Sequence, residues 1–456
     1  MILNKRILPG SHAGVPRKVD RAWFWFILAL SALMAALLIG PRVPDHQQVA
    51  HCVVNVRVAG PIGITLNCDS AHFMNLARDP SMLLVPWEVL QHRPGMVLAA
   101  AILSMPLSPL VDLPRTLGVT IGRPDLDPQR VRKALRNNFP QYATYIMLNV
   151  MMLLLSFHYF RRVCEAGGVA GDAATTMVIV SLGLLLVAND VTKAFVWSPH
   201  TQMFNIFTPV FAVHASLRSW TGSLLDRRFA ILVGLISGFG FTAYPLFAII
   251  PPCVIVAGLL YAGRDHSPST RSRSLHNSAM LLGLTVAPAA LWYLFVRLST
   301  GDFYHHGLAQ GQVIWMSDAL VHGVGALLSG WLQNLAALST LAAAQASPIA
   351  AVIVLLLMMA VVQREIVGAV LGPMLPIAMI GIFVSVVITV FYSSVGLIAA
   401  RLAFAIIPPL IVVVGVVAVT VMQRLEATQR RVLAYGCLMI TTAQLIFIIV
   451  KDGPYS

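Results

Sequence analysis

The chain is punctuated by apolar runs long enough to cross a lipid bilayer, and this constrains it more than any other feature. A span needs about 20 predominantly apolar residues. Helices or closed barrels are the only structures that satisfy every backbone polar group in lipid. Reading the 456 residues for such runs gives eleven predicted helices: Trp23–Ile39, Tyr142–Tyr159, Thr176–Asn189, Phe204–Leu217, Phe229–Thr242, Tyr244–Tyr261, Ala279–Val296, Ile349–Val362, Val367–Phe391, Leu402–Met422 and Val432–Val450. The expectation is one all-α polytopic domain over residues 1–456, with outer loops at 41–139 and 297–347. With 58% hydrophobic and 11% charged residues, the composition suits lipid as solvent, since a soluble domain carries about a quarter charged residues.

The charges orient the chain. Arg17, Lys18 and Arg21 precede the first run, placing the N-terminus in the cytoplasm. The run Met96–Val111 is broken by Pro106 and Pro109. If it lies along the membrane surface as an interfacial or re-entrant helix, then Arg161/Arg162, Arg218/Arg227/Arg228, Arg264/Arg271/Arg273, Arg364 and Arg424/Arg430/Arg431 all become cytoplasmic, and the C-terminus ends outside. Only the basic cluster Arg130–Arg136 then violates the rule. The formal charge of +13 is thereby explained without nucleic acid as a partner. Membrane lipids are the expected surroundings.

The first outer loop carries the richest pattern. Cys52–Val58 is β-rich, Gly60-Pro61-Ile62-Gly63 is turn chemistry, and Ile64–Leu66 returns, predicting a small β-hairpin. Such a hairpin brings Cys52 near Cys68, a disulfide candidate in an oxidising compartment. Asp69 and His72 follow at once, then Asp79-Pro80, Glu88, and His92-Arg93-Pro94 opening the interfacial helix. Asp69 also suits a helix N-cap for His72–Ala77, and Glu88 suits a solvated face of a short helix over Pro86–Gln91. Late in the chain, Tyr392-Ser393-Ser394, Ala400-Arg401-Leu402-Ala403-Phe404 and Pro408-Pro409 form a second polar-aromatic stretch.

An Asp just past the first span, a short helix, an Arg-Pro opening a juxtamembrane helix and a late Arg-aromatic-Pro motif together resemble the GT-C superfamily of integral membrane glycosyltransferases, which includes aminoarabinose, mannosyl and arabinosyl transferases. In residues the resemblance covers Asp69 to Gly95 and Tyr392 to Pro409; in layout it covers the chain. It implies a hexosyl- or pentosyltransferase of a bacterial inner membrane. A polyprenyl-phosphate-sugar would be the donor, an envelope glycan or lipid the acceptor, and the anomeric carbon would be inverted.

The resemblance makes Asp69 the base. Such chemistry needs a carboxylate for the acceptor proton and cations for the departing phosphate, which Arg grips through two parallel hydrogen bonds. Arg93 and Arg401 are the phosphate candidates, with His72, His92, Glu88, Lys193, Tyr304, His305 and His306 as further binding candidates. Lys193 also suits an ion pair with Asp190. Where the family often has an acidic residue, this chain has Gln202. That departure weakens a metal site without removing room for a divalent ion.

Two other classes fit the same layout: an O-antigen polymerase or ligase, which keeps its key groups in a late loop such as that holding Asp302 and His305/His306, and a lipid or glycan transporter or flippase, which needs polar groups at mid-span.

Overall fold

The computed structural model describes residues 21–50, 52–59, 62–115, 120–121, 128–166, 172–265, 267–305, 311–362 and 364–451. Its helices are α1 (Arg21–Leu37), α2 (Cys68–Arg78), α3 (Pro94–Ser104), α4 (Pro128–Asn137), α5 (Phe139–Ala166), α6 (Ala173–Val187), α7 (Asp190–Phe195), α8 (Phe204–Trp220), α9 (Arg227–Ala243), α10 (Ile250–Asp265), α11 (Pro268–Thr300), α12 (Ile314–Val321), α13 (Val324–Gln345), α14 (Ser347–Val362), α15 (Arg364–Val395), α16 (Ala400–Ala403), α17 (Ile407–Met422) and α18 (Ala427–Val450). The strands are β1 (Val53–Ala59), β2 (Ile62–Asn67) and β3 (Thr120–Ile121).

The architecture is all-α and polytopic, but the count of eleven spans is corrected. Six stretches among the described residues are long and apolar enough to cross a membrane: Phe139–Ala166, Pro245–Asp265, Pro268–Thr300, Met374–Val395, Ala400–Met422 and Ala427–Val450. A seventh is reached if α13 and α14, bent by 65° at their junction, count as one broken span. The expected spans Trp23–Ile39 and Thr176–Asn189 are helices of 17 and 15 residues. At 1.5 Å per residue these reach only ~22–26 Å, against a hydrocarbon core of ~30 Å. The 17-residue α8 is buried along nearly its whole length. Hydropathy cannot separate an apolar helix facing lipid from one facing protein. The Met96–Val111 run becomes α3, 11 residues long, followed by a 3₁₀ stretch over Met105–Arg115, too short for a crossing.

The centre is close-packed around aromatic rings. Phe26 of α1 stacks on Phe157 of α5, centroids 3.7 Å apart and planes 3° from parallel. Gly183 of α6 makes the stack fit, because a Cβ there would lie 2.5 Å from the Phe157 ring. In the segment after α1, β1 pairs antiparallel with β2, and β3 adds to the other edge of β1, a strand the sequence did not announce.

Cys52 and Cys68 close the hairpin as a disulfide, with Cα atoms 5.3 Å apart. The cross-link spans 16 residues, a loop length for which the chain-entropy estimate is about 3 kcal/mol. Replacing both cysteines by serine is therefore expected to lower stability in detergent by about that amount, seen as an earlier thermal melt. An unchanged melt would show that the hairpin is held by its ladder alone.

Candidate active site

The site begins with the way α2 is mounted. Asn67, and not Asp69, is the N-cap: its side-chain oxygen accepts from the Asp69 N–H. This corrects the N-cap reading and releases the Asp69 carboxylate from local duty. The start of α2 is tied to the turn before α8 through Ser198, whose hydroxyl accepts from the Asn67 N–H at 3.2 Å and lies 2.7 Å from the Ser70 hydroxyl. Asn149, buried on α5, holds the same turn by donating to the carbonyls of Phe195, Val196 and Ser198 at 3.1, 3.3 and 3.0 Å. These anchors fix His200 against Asp69.

The tautomer of His200 follows from its neighbours. Its Nδ1 accepts the Thr201 N–H at 2.8 Å, so the neutral ring carries its proton on Nε2. That nitrogen lies 3.6 Å from Asp69 Oδ2, an electrostatic contact beyond hydrogen-bond length. Burial keeps the imidazole below its ordinary pKa against the pull of Asp69. The ring sits between Phe73 and Phe195, centroids 5.4 and 4.9 Å away. Asp69 itself is 67% exposed. His200 foremost, with Arg401 and His72, holds its carboxyl below the usual range despite partial burial.

Two guanidinium groups complete the centre. Arg93 stands just before α3, which begins at Pro94, and Arg401 lies on α16 over the Phe195 ring, 5.9 Å from its centroid. Each has its Nε sealed from solvent without a hydrogen-bond partner. Burial first of all depresses the Arg93 pKa, and Arg93 feels the charges of Asp69 and Arg401 in turn. The three groups on α2, at the start of α3 and on α16 thus share one field. Behind them, Tyr244 and Tyr392 both donate to Asn205 Oδ1 at 2.9 Å, while Asn205 Nδ2 donates to Gln202 Oε1 at 2.7 Å and to the Arg401 carbonyl at 3.1 Å. This network locks the α16 turn to α8.

Glu88 departs from its expected setting: it lies outside any helix and its side chain is only 8% exposed. Its Oε1 meets His72 Nε2 at 2.6 Å and accepts the Leu90 N–H at 2.9 Å. The bond to Glu88 raises the His72 pKa above its ordinary 6.5. Burial alone would raise Glu88, but the bonds from His72 and Leu90 outweigh it and leave it below 4.5. The His72 contribution is full below pH 6.5 and fades as pH climbs through its raised pKa. The Glu88 contribution is full above pH 4.5 and fades as pH falls through its lowered one. His72→Gln is therefore expected to lower the melting temperature most between those two values and to converge on wild type in alkali. A constant difference across pH would contradict the ion pair.

The late loop closes over the first. His305 stacks on His92, centroids 5.2 Å apart, the Tyr304 ring meets Trp87 edge-on at 5.1 Å, and the Tyr304 N–H donates to Gln91 Oε1 at 2.5 Å. His306 lies outside the described residues. Lys193 is placed elsewhere: it donates to the Lys451 carbonyl and lines a cavity with Arg42 and Trp197. Asp190, its expected partner, pairs instead with Lys451 at 2.9 Å.

Among the described residues, no three of His, Cys, Asp and Glu gather as a metal site. His200, Asn205 and Tyr244 are the members sequence reasoning did not assign. Their partners stand up to 196 positions away, so spacing gave no signal. No family model, no curated protein and no solved structure matches the chain.

Proposed function

We propose that the chain is a membrane glycosyltransferase that moves a sugar from a polyprenyl-phosphate donor to a hydroxyl on the outer face of a bacterial inner membrane, where its first loop would lie. The observation that carries this reading is that two half-buried arginines, each with a sealed and unpartnered Nε, share the field of one exposed carboxylate. An unpaired buried donor is costly, and a phosphate arriving between Arg93 and Arg401 would satisfy both with charge-assisted bonds.

In the reaction, the acceptor hydroxyl donates to Asp69. The bond from its oxygen to the anomeric carbon forms while the bond from that carbon to the phosphate oxygen breaks. The lipid phosphate leaves with the electron pair, held by Arg93 and Arg401. The hydroxyl proton passes to Asp69 late, because a hydroxyl becomes strongly acidic only as its oxygen bonds to carbon. A carboxylate with a lowered pKa is a weak base toward a free hydroxyl but stays ionised and ready across physiological pH.

The test is transfer from labelled polyprenyl-phosphate sugars by the purified full-length chain. Arg401→Ala is expected to lose about 10²–10³-fold in turnover, the worth of one preorganised charge donor. Unchanged turnover would remove Arg401 from the reaction.

The stacking of His305 on His92 also supports a second reading, a ligase-type glycan transferase using pyrophosphate-linked donors, because it brings late-loop residues to the first loop. Transfer from a pyrophosphate-linked and not a monophosphate-linked sugar would favour it.

A further inference from the structure

A second cavity, of ≈ 140 Å³, opens where four helix ends meet: the break between α6 and α7, the bend between α13 and α14, the start of α17 and the end of α18. Phe404, just beyond the α16 turn that carries Arg401, forms part of its wall, but none of the groups proposed for catalysis lines it. Its charged lining residues are Asp190 and Lys451, one of each sign, paired at 2.9 Å. The cavity is thus neutral overall and suits a neutral or zwitterionic occupant.

Its hydrogen-bonding demands are more specific. Asp190 Oδ1 is buried and has no donor. Gln345 and Gln444 give their amide N–H groups to backbone carbonyls, of Leu341 and Ala400 and of Ala188 respectively, which leaves each amide oxygen to accept. The cavity therefore calls for N–H or O–H donors, while the remaining N–H groups of Lys451 call for an anion. The rim is apolar where Phe447, 52% exposed, stands with Ile349, Ile407 and Ile411. It also lies at the end of the span Ala427–Val450 and beside the bent pair, the level at which a lipid headgroup would sit.

We infer that this cavity is a binding site for phosphatidylethanolamine: its ammonium would donate to Asp190 Oδ1 and the glutamine oxygens, its phosphate would meet Lys451, and its chains would follow the apolar rim. The inference is independent of the glycosyl-transfer reading.

Native mass spectrometry of the full chain in detergent, titrated with phosphatidylethanolamine, phosphatidylcholine and phosphatidylglycerol, tests it. Phosphatidylcholine has the same charges but no N–H donor, and phosphatidylglycerol has the phosphate without the ammonium. Phosphatidylethanolamine adducts are expected at about tenfold lower lipid concentration than either, the worth of one charge-assisted hydrogen bond. Asp190→Asn and Lys451→Gln should each erase most of that preference. Equal binding of phosphatidylethanolamine and phosphatidylcholine by the wild type would overturn the inference without relying on any variant. Phosphatidylglycerol binding as tightly would overturn the ammonium's role, and an undiminished preference in both variants would overturn the site.

Discussion

Asp69→Asn is expected to lower turnover in sugar transfer by about 10²–10⁴-fold, the usual range for a positioned proton acceptor, while the donor KM changes little. The substitution keeps the size and the mounting of the side chain, because α2 is capped by Asn67 and tied down through Ser70 and Ser198. What it removes is the negative charge that accepts the acceptor's proton as the new bond forms. The donor phosphate is held by other groups, so its binding survives. A loss confined to turnover indicates an interaction made in the transition state, whereas a rise in KM at constant turnover indicates binding alone. His200→Phe provides the companion measurement. It fills the aromatic slot between Phe73 and Phe195 but removes the imidazole that foremost holds the Asp69 carboxyl low. In that variant the acid limb of the pH–rate profile should move upward, toward the ordinary carboxylate range. If Asp69→Asn transfers sugar at the wild-type rate, the carboxylate is a bystander and the proposed reaction fails at its first step.

The parts of this site that were legible in the sequence are those built from near neighbours. The hairpin and the Cys52–Cys68 pair are fixed by turn chemistry within a single loop. Asp69 to Arg93 lies in one stretch of polar residues between apolar runs. Arg401 stood out because a charge at the head of an apolar run demands an explanation. The remainder depended on contacts that sequence spacing does not encode. His200 follows the α7 turn and reaches Asp69 only because Asn149 and Ser198 hold the intervening chain. Glu88 read as an exposed residue because nothing local announces that His72, 16 positions earlier, folds onto it. The span count erred for a related reason: an apolar residue is apolar whether lipid or protein covers it, and α8 lies among other helices.

The seam between α9 and α11 offers the second large effect, on stability. Gly234 and Gly238 stand one turn apart on α9 and face α11. A Cβ on Gly238 would lie 2.5 Å from the Leu284 carbonyl oxygen, whereas one on Gly234 would meet the Leu284 Cβ at 2.9 Å and the Leu281 carbonyl oxygen at 3.0 Å. Small residues four apart let helix backbones approach in a membrane, where association rests on packing and not on the hydrophobic effect. Only 17% of the most apolar stretch of α11 is buried within the protein, so α11 has few other attachments to compensate. Gly238→Ala is therefore expected to destabilise by about 1–3 kcal/mol from overpacking, even though alanine alone would favour the helix by about 1 kcal/mol. Gly234→Ala should cost less, its tightest clash being with a side-chain carbon. Gly283→Ala, on α11 with nothing within 4 Å of its Cβ, should be neutral or stabilising. The loss at Gly238 should also reach the site. The end of α9 packs against Gly95, where a Cβ would lie 2.5 Å from Thr242 Oγ1, and Gly95 follows Arg93 by two residues. Tyr244, next beyond α9, bonds Asn205 behind Arg401. Thermal melts of the three variants in one detergent decide the matter. If Gly238→Ala melts with wild type while Gly283→Ala does not, the seam is not what holds α11, and the lipid around it must be doing so.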